Sequence, residues 1–210
     1  VDEIILLDIM ASKSSSKPNY KLIEKISNEC FMPLVYGGGI SNLNQIKDIL
    51  NIGIEKIVLN TNAIKKPYLI EDSAKTFGSQ CILGSIDYKI NTFSKKRIVY
   101  GLSGTQKTNL NPIQWATTLE NLGVGELLVT SIDHEGKWIG YDEDLLKKIS
   151  NQVSLPIIAN GGASSISDIN SILNNTSCSA AAAASLFVYQ KKDMGVLINF
   201  PDKNELDYFI

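Results

Sequence analysis

The chain has 210 residues, 44% of them hydrophobic, and a formal net charge of −2, enough apolar material for one large core. That balance offers no basic stripe for nucleic acid and no acidic tail, and the longest apolar run, around 180–188, is too short to span a bilayer. No basic-then-apolar leader is visible, and Cys30, Cys81 and Cys178 match no metal or redox spacing, so three buried thiols in a reducing cytoplasm are expected.

In chain order, strand-like runs alternate with helical patterns. The apolar "DEIILLDIM" precedes the helical "YKLIEKISNEC", and "MPLVYGGG" precedes "NLNQIKDILNIG". Next come "KIVLNTNAI" with "PYLIEDSAKTFG", then "CILGSIDYK" with a polar excursion, "INTFSKKRIVYGLSGTQKTN", that suits a hairpin. The helix "NPIQWATTLENLG", the strand "GELLVTSID", the helix "DEDLLKKISNQV", the pair "LPIIANGG" and "SISDINSILNN", and "SAAAAASLFVY" complete the series. Strands apolar on both faces belong in a parallel sheet covered by helices. Seven such units with no Pro/Gly/Ser-rich linker predict one domain over 1–210, of the α/β class, a (β/α)8 TIM barrel.

A repeat explains why the count is one short. At an offset of 123, Pro33 falls on Pro156, Gly38 on Gly161, Gly39 on Gly162, Ser41 on Ser164, Ile49 on Ile172 and Leu50 on Leu173. Val1 and Glu3 likewise fall on Val124 and Glu126. The barrel therefore reads as two similar halves with a boundary near 79–80. The strand at 81–89 opens the second half and its counterpart would lie about 40 residues ahead of Val1, so the first βα unit is expected to be missing. The alternative is a seven-stranded variant, which would expose strand edges.

Function in such a barrel sits where strands end. The turns at Gly38–Gly39 and Gly161–Gly162 let backbone N–H groups approach an anion, and each is followed by a helix N-terminus. Each has a neighbour of donors, Asn60 and Thr61 in one half, Ala184 and Ser185 in the other. Two such cradles on one barrel suit a long, phosphorylated small molecule with a phosphate at each end; the bland reading is that the glycines only permit tight turns. Between them stand strand-end acids Asp8, Asp87 and Asp133, of which Asp87, on the strand whose counterpart is missing, is the best general acid or base. A strand-end acid is also a common loop cap. The single histidine, His134, allows no triad and no multi-histidine metal site, and is read as a loop residue. At the opposite strand ends, Glu3, Lys56 and Glu126 suit a salt-bridged ring around the axis, or ordinary ion pairs.

Taken together, "LLDIMAS", "GGGI", "NTNAIKKP", "FGSQC", "SIDYK", "GELLVTSIDHEG…GYD", "NGGA" and "AAASLF" resemble the cyclase subunit of imidazole glycerol phosphate synthase (HisF), in order and over nearly the whole chain. The resemblance implies a barrel that takes ammonia along its axis from a glutaminase subunit, forming a heterodimer with it, and needs no cofactor or metal. The ammonia closes and splits a bisphosphate ribulosyl-formimino substrate (PRFAR) into imidazole glycerol phosphate and AICAR, for histidine biosynthesis. It implies Asp87 as catalytic acid, Asp8 in contact with the substrate and Thr130 at the centre, and with Asp133 the three acids are the candidate catalytic residues. One phosphate would rest on Gly38, Gly39, Asn60 and Thr61; the other, beside Glu135, on Gly161, Gly162, Ala184 and Ser185. Glu3, Lys56 and Glu126 would form the ammonia gate. The family's second catalytic aspartate would lie on the missing strand, so the 210 residues alone are expected to be inactive.

Some residues depart from the pattern: Glu135, Lys137 and Trp138 in the "HEGKWIGYD" loop, Asn160 before the glycines, and the ending "SLFVYQKKDMGVLINFP". These resemble a branch in which barrel and glutaminase supply ammonia to an N-acetyl sugar amidotransferase in surface-polysaccharide biosynthesis. A sugar-phosphate isomerase on the related half-barrel fold is a third reading and needs no glutaminase.

Overall fold

A computed structural model describes residues 2–14, 16–189, 195, 196 and 198. Four-residue strands and short helices alternate: β1 (Ile4–Leu7), α1 (Ala11–Ser14), α2 (Tyr20–Glu29), β2 (Leu34–Gly37), α3 (Leu43–Asn51), β3 (Lys56–Leu59), α4 (Thr61–Lys65) and α5 (Tyr68–Phe77). After a 3-10 turn at Ser79–Cys81 come β4 (Ile82–Ile90), β5 (Arg97–Gly101), β6 (Gln106–Lys107), α6 (Pro112–Asn121), β7 (Glu126–Ser131), α7 (Glu143–Ser150), β8 (Ile157–Asn160), α8 (Ile166–Asn175), β9 (Ala180–Ala182) and α9 (Ser185–Val188). The parallel sheet runs β1-β2-β3-β4-β7-β8-β9, the strand order of a (β/α)8 barrel with half-barrel repeat. Among the described residues β1 and β9 pair with one strand each, so one place in the ring is unfilled. The expected hairpin is present: β4 continues beyond the sheet and pairs antiparallel with β5, which pairs with β6.

The repeat survives into three dimensions. β2 and β8 share their boundaries at the offset of 123, and α3 and α8 start at equivalent residues. Both helices are capped alike: Asn42 Oδ1 accepts from Gln45 N, and Ser165 Oγ accepts from Asp168 N. In both, the fourth residue after the serine reaches back to it: Gln45 Oε1 accepts from Ser41 N and Oγ, and Asp168 Oδ2 from Ser164 N and Oγ. Side-chain acceptors thus use the first-turn amides that the helix leaves unpaired.

The strand period of two separates two cores. Outward residues such as Ile57, Ile82, Leu127 and Ile157 pack under the helices with Ile46, Ile49, Leu119 and Ile149. Inward residues Val35, Val58, Leu83, Leu128 and Ile158 form their own apolar cluster, joined by Ile5, Ala180 and Ala182. Burial of the cysteines is less than expected: Cys178 is buried, but Cys30, at the C-cap of α2, and Cys81, the last residue of the 3-10 turn, are only partly so. Val1 of the repeat lies outside the described residues, as does most of the divergent ending after Tyr189. No helix among the described residues is long and apolar enough to cross a membrane.

Candidate active site

Along the barrel axis, inward side chains change character twice. At the N-terminal end, Lys56 Nζ sits 2.9 Å from Glu3 Oε1 and 2.8 Å from Glu126 Oε2, so the three charges predicted there do meet. Burial alone would lower the Lys56 pKa, but hydrogen bonds and charge from Glu126 and Glu3 outweigh it and raise the pKa. The apolar inner cluster follows. Beyond it, the same strand faces present Ser85, Asp87, Thr130 and Asn160.

Asp87 occupies the centre of this polar layer. Burial pushes its carboxyl up to about 6, partly offset by the Ser85 hydroxyl, which donates to Oδ1 at 2.7 Å. Desolvation disfavours the charged form of a carboxyl, and a pKa near neutrality suits proton transfer. Beside it, Asn160 Nδ2 donates to Thr130 Oγ1 at 3.1 Å. Ser85 was not singled out in the sequence, although its position two residues before Asp87 puts both on one strand face.

The other two acids have structural partners. Asp8 Oδ1 accepts from Met10 N and Ala11 N, each at 3.0 Å, and so caps α1. Asp133 Oδ2 accepts from Ile90 N at 2.6 Å and ties its loop to the end of β4. His134 is a loop residue as expected, with Nδ1 2.9 Å from Gly140 O.

The two glycine turns lie on the C-terminal rim. Gly38 and Gly39 have φ of 132° and 68°, and Gly161 and Gly162 have 94° and 112°, values that disfavour other residues. A Cβ on Gly39 would lie 2.6 Å from Ser16 O, and one on Gly162 would run into Gly140 O. Asn60 and Thr61 adjoin the first turn, but their side chains brace the hairpin. Asn60 Nδ2 donates to Ser85 O and Tyr100 O, and Thr61 Oγ1 accepts from Leu102 N at 2.9 Å. The second turn faces a narrow slot lined by Glu135, Gly136, Gly162, Ala182, Ala184 and Ser185. Glu135 is exposed as a residue, yet slot atoms crowd its carboxyl and raise its pKa, against hydrogen bonds from Gly136 N–H and the Ser185 hydroxyl. Lys137 and Trp138 stand on the same loop, and Trp138 takes a left-handed φ of 58°. No cluster among the described residues has the His, Cys, Asp and Glu groups to hold a metal ion.

With this geometry, comparison with known proteins becomes decisive. Residues 1–193 match the family model described as "Histidine biosynthesis protein". The chain is 45% identical over 207 residues to the "Putative imidazole glycerol phosphate synthase subunit hisF2" of Pseudomonas aeruginosa, spanning 99% of this chain and 82% of that one. It is 39% identical over 199 residues to the imidazole glycerol phosphate synthase subunit HisF of Petrotoga mobilis (93% and 79%). A HisF of Clostridium botulinum is also 39% identical (95% and 79%). The chain belongs to the HisF family. A HisF barrel is therefore what the two rims and the strand-end carboxyl frame. One group the sequence reading missed is the tie from Arg97 to Asp142: Arg97 Nε and Nη2 each lie 2.6 Å from the Asp142 carboxylate, which also accepts from Tyr88 OH at 3.1 Å. Its only sequence signal was the "GYD" after the loop.

Proposed function

We propose that this HisF-family chain is the ammonia-dependent cyclase and lyase subunit of an imidazole glycerol phosphate synthase. It would convert PRFAR to imidazole glycerol phosphate and AICAR, with a glutaminase docked at the Lys56 rim. The observation that carries this reading is the axial order: a charged ring, an apolar sleeve, then a half-buried carboxyl with its pKa near 6. An apolar sleeve favours neutral ammonia over ammonium, because a bare charge is costly to desolvate. Ammonia emerging from it would reach the layer that holds Asp87. In its protonated form Asp87 donates a proton to the substrate's departing group; once ionised it accepts one from the nitrogen that has attacked. Ser85 fixes which carboxyl oxygen is available, and Thr130 and Asn160 orient the substrate's polar middle. The phosphate ends would lie on Gly38–Gly39, with Asn60 and Thr61, and on Gly161–Gly162, with Ala184 and Ser185.

One observation favours the sugar-amidation reading. Glu135 presents a carboxylate to the Ser185 hydroxyl in the second slot, where a phosphate dianion would be repelled. A barrel that only conducts ammonia to a separate sugar amidotransferase has no need of that phosphate. Turnover of PRFAR with excess ammonium salt at mildly alkaline pH separates the two, with Asp87→Asn as control. Turnover that collapses in the variant supports the cyclase. Absence of turnover from a folded protein whose strand ring is filled supports the conduit, and the neighbouring genes then show glycosyltransferases rather than histidine enzymes. Among the described residues no strand stands between β1 and β9, and the 210 residues alone are expected to be inactive.

A further inference from the structure

One element of the rim is tied to residues beside both glycine turns. The β5 strand and the loop after it meet the first turn's neighbours through Asn60 Nδ2 to Tyr100 O at 3.4 Å and Leu102 N to Thr61 Oγ1 at 2.9 Å. At its other end the same strand carries Arg97, whose guanidinium grips Asp142 in a two-point fork. Asp142 is 7% exposed and accepts two further bonds, from Tyr88 OH and from Leu145 N, so its oxygens are occupied on all sides. Of the two residues before it, Gly140 bonds the second turn itself and Tyr141 bonds the adjacent strand β9. Tyr141 OH donates to Ala182 O at 3.0 Å, and Gly140 N donates to Gly162 O at 2.8 Å. Gly162 packs so closely on Gly140 that any sideways shift of residues 140–142 must move the turn with it.

We propose that β5 is a shared strut that sets the spacing between the two anion sites, with Arg97 and Asp142 as positioning residues for the second. This rests on the phosphate reading of the two turns given above. Neither Arg97 nor Asp142 needs to touch the ligand; a bidentate fork to a saturated carboxylate transmits position because alternatives to its geometry lose two charge-assisted bonds together.

The test follows backbone amides of the full chain by NMR during titration with inorganic phosphate, reading Gly39 and Thr61 for the first turn and Gly162 and Ser185 for the second. Arg97→Lys keeps the charge but loses the fork. It is expected to weaken phosphate at the second turn about ten-fold while leaving the first within about two-fold, in the range found for residues acting through others. Tyr141→Phe removes one bond of the strut and is expected to act in the same direction, about three-fold. Equal weakening at both turns in Arg97→Lys would show a merely structural role and overturn the proposal, as would no change at either. Should the lysine variant fail to fold, Tyr141→Phe decides: unchanged affinity at the second turn overturns the strut. A wild-type chain that binds phosphate at neither turn overturns the phosphate reading as well, an outcome distinct from the others.

Discussion

The two glycine turns are built alike and furnished differently. Strand, turn, serine and capped helix recur at one offset, down to the side chain that reaches back four residues to its serine. Around that shared backbone the first turn has Asn60, Thr61 and the hairpin loop; the second has the 134–140 loop, with Glu135 in its slot. The duplicated part is the part that backbone geometry dictates. The divergent part lines the proposed anion sites, and there one added carboxylate would change which charge is welcome.

The strand-end acids also differ in their surroundings, and the largest expected effect tests that. Asp87 is desolvated on β4, so Asp87→Asn is expected to lower ammonia-dependent turnover by about 10²- to 10⁴-fold, the usual worth of a proton-transfer group. Asp8→Asn should cost far less, since Asp8 caps α1. Comparable losses in steady-state assays would break the distinction.

The same Asp87→Asn variant should be more stable than the parent at high pH. The folded pKa near 6 lies above the ordinary 3.8, so Asp87's contribution to stability is intact below pH 4 and is lost as pH rises through 6. Removing the ionisable group is therefore expected to stabilise by up to about 3 kcal/mol at pH 8 and by nothing at pH 4. Urea melts at the two pH values measure it.

The turns themselves can be compared by Gly39→Ala and Gly162→Ala. Both positions have positive φ and an added methyl at either meets backbone, Ser16 O at 2.6 Å for Gly39 and Gly140 O at a still closer approach for Gly162. Each is expected to destabilise by roughly 1–3 kcal/mol, with Gly162→Ala the worse. Equal thermal shifts would mean that loop 134–140 yields more readily than its hydrogen bonds suggest.

Lys56 joins the halves, since Glu3 belongs to one and Glu126 to the other. Lys56→Met should cost only about 1 kcal/mol in stability, the pairs being partly exposed. Its diagnostic effect is functional: glutamine-driven turnover with a glutaminase should fall while turnover with added ammonium persists. The smallest effect is expected from Glu135→Gln, which should tighten inorganic phosphate at the second turn by a few-fold, about 1 kcal/mol or less, as one surface-exposed repulsion is removed. No change there would place the Glu135 carboxylate outside the anion's reach.

Much of this was readable from residue order. Alternating apolar runs specified a parallel α/β barrel, and the 123-residue offset placed the half-barrel repeat, because strand period, glycine turns and helix caps are local codes. The Glu3–Lys56–Glu126 ring was legible for a related reason: all three stand at the same point of their strands, and strand parity turns them to the axis. Asp87 could be named as the strand-end acid, but Asp8 and Asp133 looked equivalent until their backbone partners separated them.

What residue order could not supply was pairing across distance. Nothing near Arg97 announces Asp142, nothing near Thr61 announces Leu102, and Glu135's place in the second slot depends on how an entire loop returns to the sheet. Periodicity and capping act within a few residues and are written in the sequence itself. Ion pairs and desolvation act through space, so the pKa of Asp87 and the bracing of the rim were decided only when the chain closed around them.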